Sequence, residues 1–221
     1  MSRAEQKKRA EAKSRLEQAK TQMYQDLVLE CAERLFSESG FDQVTMRDIA
    51  GEAGISPKTL YSVFPGKEDV YAEVARRRSM ALIEATRAAL SGEGTVLERM
   101  RRSTRALVAF LVEHRAFFRI MMRESRAWGL LPDGAGSDGW GAGLRLQVDL
   151  MREGIDDGVF YEGEPEVMAA VALSTMQVLL AAALERSDEP DATAIADEIF
   201  VQLQRSFRRL PPFALEGSKA G

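Results

Sequence analysis

The chain has 221 residues, 45% hydrophobic and 29% charged, with a formal net charge of −4 and a single cysteine, Cys31. This balance excludes a fibrous or disordered chain, a protein coated in positive charge and a disulfide framework within one chain. The opening MSRAEQKKRA has no signal-peptide core, and no uninterrupted apolar run approaches the ~20 residues of a membrane span, so the reading is a cytoplasmic protein without a membrane partner.

The distribution of charge says more than its sum. Residues 1–67 hold 11 basic and 10 acidic side chains, the remainder 19 and 24, and the first 20 residues alone hold 7 against 3. Positive charge gathers at one end, as expected where only that end meets phosphate.

Strand periodicity is almost absent and helical spacing recurs, which predicts an all-α chain of nine helices. Residues 1–19 read as a basic arm, either a frayed helix or disordered. From about Lys20 to Ser39 the apolar set Leu27, Val28, Cys31, Leu35 and Phe36 is helical, ending at Gly40. Thr45 caps a short helix to about Ala53. Gly54 makes a turn, and Ser56 with Pro57 opens another helix to Val63. Pro65-Gly66 breaks the chain before a long helix from Lys67 to about Leu90. Thr95 caps a helix to about Glu113, and another runs to about Trp128. Residues 129–143 read as a Gly-rich loop, followed by helices at about 143–156, 165–186 and 191–209 and a polar tail over 211–221. The expected domains are a short-helix unit over 20–66 and a helical unit over 67–210.

Met46 to Val63 meets the steric demands of a helix-turn-helix. Ile49 and Ala53 face inward, Ala50 is small where two helices approach, Gly54 takes the turn, Ile55 plugs it, and Leu60 and Val63 anchor the second helix. Ser56, Lys58, Thr59, Tyr61 and Ser62 remain exposed, able to meet base edges and phosphates in a major groove. The competing reading is the solvated face of an ordinary three-helix bundle.

The run Gly40 to Ala50 (GFDQVTMRDIA), followed by Ala53 to Glu68 (AGISPKTLYSVFPGKE), resembles the DNA-binding domain of the tetracycline-repressor (TetR) family. The resemblance covers about 50 residues; beyond them the chain matches in length, helix count and organisation. It implies that Thr45 caps its helix and bonds a phosphate, and that Arg47 reaches a base edge. Lys58, Thr59 and Ser62 would read bases, while Tyr61 and Lys67 would hold phosphates. Val63 departs from the pattern, since many members carry a phosphate-touching His there. The basic arm, with Lys7, Lys8, Arg9, Lys13 and Arg15, either adds DNA contacts or is a tail with no role.

Residues 165–184 are apolar nearly all round, so that helix must be covered on every side. In the family the last two helices pair with their copies across a dimer interface, which implies a homodimer on a palindromic operator. Val171, Met176, Leu179, Leu180, Ile195, Ile199, Leu203 and Phe207 are the candidate contacts. A small-molecule pocket among the middle helices is also implied, for an apolar or aromatic effector. Its candidate lining is Phe110, His114, Phe117, Phe118, Met121, Met122, Trp128, Trp140, Leu144, Gln147, Met151 and Gln177. Ligand binding would tilt the fourth helix and move the recognition helices out of register.

Gly134 to Gly139 matches G-x-G-x-x-G, yet follows no strand and so reads as a loop. His114 and Cys31 have no metal-ligand spacing, Arg76-Arg77-Arg78 reads as a solvated face, and no nucleophile constellation is present. The expected protein is therefore a ligand-released repressor, not an enzyme, without metal or cofactor. An activator of the same fold, a ligand-independent DNA-binding protein, and a helical enzyme or carrier are the alternatives.

Overall fold

A computed structural model describes residues 3–123 and 138–209. Among these residues the elements are α1 (Arg3–Ser39), α2 (Met46–Glu52), α3 (Pro57–Val63), α4 (Lys67–Leu90), α5 (Val96–Glu113), α6 (Arg115–Arg123), α7 (Asp138–Asp156), α8 (Pro165–Arg186) and α9 (Ala192–Phe207). One isolated bridge, Phe160 with Arg208, is the extent of β pairing among the described residues.

Two compact units result. The first holds residues through Arg78 together with α6; the second holds Ser79–His114 and the helices from α7 onward. Helix α4 contributes to both, through Arg78 to the first and from Ser79 to the second.

The first unit is built around α1. Val28, Ala32 and Phe36 on α1, Ile49 and Ala50 on α2, Leu60 on α3, and Val70 and Val74 on α4 are all buried, and Ile120 brings α6 onto the same core. Phe36, Phe41 and Tyr71 close one end as a trio with ring centroids 5.1–5.7 Å apart. Arg34 on α1 pairs with Glu52 on α2. Residues expected as an arm are part of α1, where among the described side chains Val28 is the first buried one.

In the second unit, α9 packs on α5 and α8, and α7 on α8. Asp197 on α9 accepts from Arg105 at 2.8 and 3.1 Å and from Arg101 at 3.2 Å on α5. The hydrogen bonds from Arg105 and then Arg101 hold its carboxyl at about 2. The expected loop over 129–143 is corrected at its end: Asp138–Gly143 is already helical, while the Trp140 side chain lies outside what is described. The rest of that loop, Trp128 and the tail over 211–221 lie outside the described residues.

Within the single chain, helix α8 is covered on only part of its surface. Among the described helices it is long and apolar enough to cross a membrane, with a mean hydropathy of 2.1 over 18 residues. In the fold its Met168, Ala169, Ala172, Met176 and Leu180 are buried within the unit, while Val167, Val171 and Val178 are exposed.

Candidate nucleic-acid interface

Each short helix at the candidate interface is fixed by its own cap. Thr45 precedes α2 with extended backbone, and its hydroxyl accepts from the Asp48 amide at 3.2 Å; the Asp48 carboxylate accepts in return from the Thr45 amide at 2.9 Å and hydroxyl at 2.7 Å. This reciprocal box satisfies donors that a helix start leaves unpaired. The Thr45 hydroxyl, and then its amide, hold the Asp48 carboxyl below the ordinary carboxylate range.

Helix α3 opens in the same manner. The Ser56 hydroxyl accepts from the Thr59 amide at 3.1 Å and lies 2.9 Å from the Thr59 hydroxyl, and Pro57 takes the first helical position where no donor is needed. Between the helices the Ile55 amide donates to the Ala50 carbonyl at 3.0 Å and the Gly54 amide to the Gly51 carbonyl at 3.1 Å. This double bond pattern ends a helix with a left-handed residue, and Gly54 has φ +63. A Cβ there would touch nothing within 4 Å, so the demand for glycine is conformational, not steric.

Ile49, Ala50, Ala53 and Leu60 are buried and Ile55 and Val63 are packed against them, which leaves the opposite side of α3 outward. Arg47, Ser56, Lys58, Tyr61 and Ser62 are exposed, and Thr59 is half-buried. The Ser62 hydroxyl donates to the Thr59 carbonyl at 2.6 Å. Thr45, Arg47 and the exposed α3 side chains thus belong to one capped two-helix element. Lys67 stands apart from that set: its ammonium donates to the Phe41 carbonyl at 2.8 Å and lies 4.2 Å over the Phe41 ring, which ties the start of α4 to the turn after α1.

Of the three arginines read as a solvated face, Arg76 stays exposed while Arg77 and Arg78 are corrected. Arg76 grips Glu73 through two bonds of 2.7 Å, Arg77 reaches both Glu73 and Asp26, and Arg78 donates to Glu33 at 2.8 Å. Asp26 and Glu33 sit on α1, so two of the three pin α4 to it.

The second unit contains a cavity of about 40 Å³ lined by Ser79, Leu82, Ile83 and Thr86 of α4, Leu107 of α5, Gly143, Leu144 and Gln147 of α7, and Leu173 of α8. Of the candidate ligand residues, Leu144 and Gln147 line it. Phe117, Phe118 and Met121 are instead buried on α6 in the first unit, and Met122 is exposed there. Phe110 packs edge-on against His114 with centroids 4.4 Å apart, and Met151 is fully buried. Gln177 is buried one turn beyond Leu173 and its amide nitrogen has no partner; the Ser79 hydroxyl in the cavity wall is likewise unpartnered. The α4 residues were missed because their spacing reads only as one face of an amphipathic helix.

The candidate dimer contacts divide by face. Met176, Leu180, Ile199, Leu203 and Phe207 are each at most 4% exposed in the single chain, so a second copy would find almost no surface on them. Leu179 and Ile195 are half-buried, and Val171 is 45% exposed. With Val171, the outward apolar surface consists of Val167, Val178 and, on α9, Val201.

Residues 28–74 match the model of the bacterial regulatory proteins of the tetR family. Over 134 residues the chain is 29% identical to the HTH-type transcriptional repressor KstR2 of Mycobacterium tuberculosis, covering 60% of this chain and 67% of that protein. The solved structure of that ketosteroid transcriptional regulator superposes with a TM-score of 0.71 at 23% identity, covering 84% of this chain and 95% of the other. A tetR-family regulatory protein from Rhodococcus RHA1 superposes with a TM-score of 0.73 at 18% identity, over 85% and 98% of the two chains. The matched stretch begins at Val28 and closes at Val74, so it takes in all of the core that orients α2 and α3 except Ile120 of α6. The chain thus carries, over residues 28–74, the DNA-binding domain of the bacterial regulatory proteins of the tetR family, continued by an all-helical fold shared with solved members of that family.

Proposed function

We propose that this regulator is a cytoplasmic homodimeric repressor that holds a palindromic operator through two copies of α3 and is released by a small, uncharged, mainly apolar effector. The observation that carries the reading is the capped α2–Gly54–α3 element, which turns Arg47, Lys58, Thr59, Tyr61 and Ser62 outward from a rigid core. One such helix reads few base pairs, and two copies related by a two-fold axis give useful specificity. The second copy would dock on the outward valines of α8 and α9.

The effector is assigned to the cavity beside Ser79. Its described walls are leucine and isoleucine with neutral hydroxyls and an amide, so a charged group entering there would lose its hydration without a counter-ion. The Ser79 hydroxyl is a donor without a partner, which suits a ligand carbonyl or hydroxyl. Ser79, Leu82, Ile83 and Thr86 lie on α4, whose earlier residues Arg77 and Arg78 are paired to α1. Widening the cavity would thus act on the helix that is tied to the DNA-binding core. A ligand shifts that balance only by binding one state more tightly.

Genomic fragments captured by purified protein and then footprinted give the test, repeated with Arg47→Ala and Thr59→Ala. Protection of a two-fold symmetric site that is lost in both variants is expected. Retention of only salt-sensitive background binding by the wild type would overturn the reading.

A further inference from the structure

The DNA-binding domain is short of positive charge. Residues 21–67 contain four basic side chains, Arg34, Arg47, Lys58 and Lys67, against seven acidic ones. Two of the four already have partners inside the domain, since Arg34 pairs with Glu52 and Lys67 bonds the Phe41 carbonyl. Displacement of counter-ions from phosphates drives most non-specific DNA binding and grows with the number of cations engaged. A domain with three excess carboxylates repels the duplex that it has to approach.

The missing charge lies directly before it in the chain. Residues 1–20 hold seven basic and three acidic side chains, and from Arg3 they are part of α1. Lys7, Lys8, Arg9, Lys13, Arg15 and Lys20 are all exposed. The pair between Lys7 and Glu11, at 4.0 Å with both side chains exposed, is of the kind that yields at little cost.

The arrangement of these residues narrows the partner. At about 100° per residue, Ala12, Leu16, Ala19 and Met23 fall along one strip of α1. Lys8 and Arg15 flank the strip on one side; Arg9, Lys13 and Lys20 flank it on the other. Leu16 is 68% exposed and Met23 57%. A helix lying in the major groove of B-DNA faces bases at the floor and phosphates on both walls, which is this pattern of a narrow apolar strip between two basic flanks. Two large apolar side chains are too few to hold a helix in a bilayer surface. From Lys7 to Lys20 the helix runs about 20 Å, or roughly six phosphates along one strand.

We propose that residues 7–20 of α1 are a second DNA-contacting element, a basic helix that binds the duplex beside the site read by α3 and supplies the phosphate neutralisation that α2 and α3 lack. This inference rests on the DNA-binding reading and adds a separate, sequence-independent contact to it.

The test uses the full chain with Lys7, Lys8, Arg9, Lys13 and Arg15 all changed to Gln, which keeps the helix while removing its charge, with helicity checked by circular dichroism. Binding is measured by fluorescence anisotropy on the footprinted operator and on a random duplex of about 40 base pairs, over roughly 50–300 mM salt. The expected result is a log–log salt slope shallower by about 3 or more on both duplexes and an affinity lowered about 10–100-fold near 0.15 M salt, with the operator-to-random ratio retained. Thr59→Ala should behave oppositely, losing the ratio and keeping the slope. If the slope of the Gln variant stays within about 1 of wild type, the inference is overturned while the α3 reading stands. Loss of binding to phosphatidylserine vesicles with the DNA slope unchanged overturns it in favour of a membrane contact. A wild type that prefers the operator no more than the random duplex refutes the DNA-reading assignment itself.

Discussion

Arg78 Nε donates to Glu33 Oε2 at 2.8 Å, joining α4 to α1 between residues 45 apart in sequence. The Glu33 side chain is only 9% exposed and that of Arg78 33%. Removing the guanidinium would strand a nearly buried carboxylate, which costs more than the pair itself contributes. Arg78→Met is expected to lower stability by about 1–3 kcal/mol, and adding Glu33→Gln to restore much of it. Urea midpoints of the two single variants and the double variant check this. Strict additivity would show that the pair does not couple the helices.

Acid should loosen the same region in a defined window. Glu73 is held at about 2, against an ordinary 4.5, chiefly by Arg76 and then by Arg77. A carboxyl whose folded value is depressed contributes stability above its unfolded value and loses it as pH falls toward the folded one. The contribution is therefore present above about pH 4.5 and fades between there and about 2. Glu73→Gln is expected to flatten the acid limb of a stability–pH curve in that interval. Superimposable limbs for the variant and wild type would refute it.

Two glycines should fail for different reasons. A Cβ at Gly154 would lie 2.1 Å from Cδ2 of Phe160, a ring that is 1% exposed, so the ring has to leave its site. Gly154→Ala is expected to cost about 3 kcal/mol, at the upper end of the overpacking range. At Gly54 there is open space and φ +63, so Gly54→Ala meets only the left-handed backbone penalty of about 1–2 kcal/mol. Thermal melts of both variants rank them, and the opposite order would contradict the steric account.

Val178, 65% exposed on α8, tests the proposed docking of a second copy. Val178→Glu puts a charge on the outward face and should leave the subunit folded. Sedimentation equilibrium is expected to show monomer for the variant and dimer for the wild type, with operator affinity reduced at least tenfold. A variant that remains dimeric would place the interface elsewhere.

The features legible in the sequence are those set by neighbours along the chain. Thr45 and Ser56 announce their caps, Gly54 its turn, and Ile49, Ala53 and Leu60 their inward faces, because each requirement closes within a few residues. What depends on distant partners was not legible. Arg77 and Arg78 read as solvated until folding sets Asp26 and Glu33 against them. Helix α8 is apolar around its whole circumference, so hydropathy could not separate Leu180, buried within its own chain, from Val178, left outside. The cavity exists only where α4, α5, α7 and α8 fail to fill the space between them, and no single helix carries that pattern.

The size of that cavity has a kinetic and a selective consequence. At about 40 Å³ the resting void is small, with room for roughly three water molecules. If the proposed effector enters here, it would have to push the leucine walls apart before gaining contacts, so its arrival would be slow relative to diffusion. The energy of that opening is subtracted from every affinity measured. Under that proposal, discrimination among inducers would fall less to the shape of the resting void than to which of them recovers the opening cost.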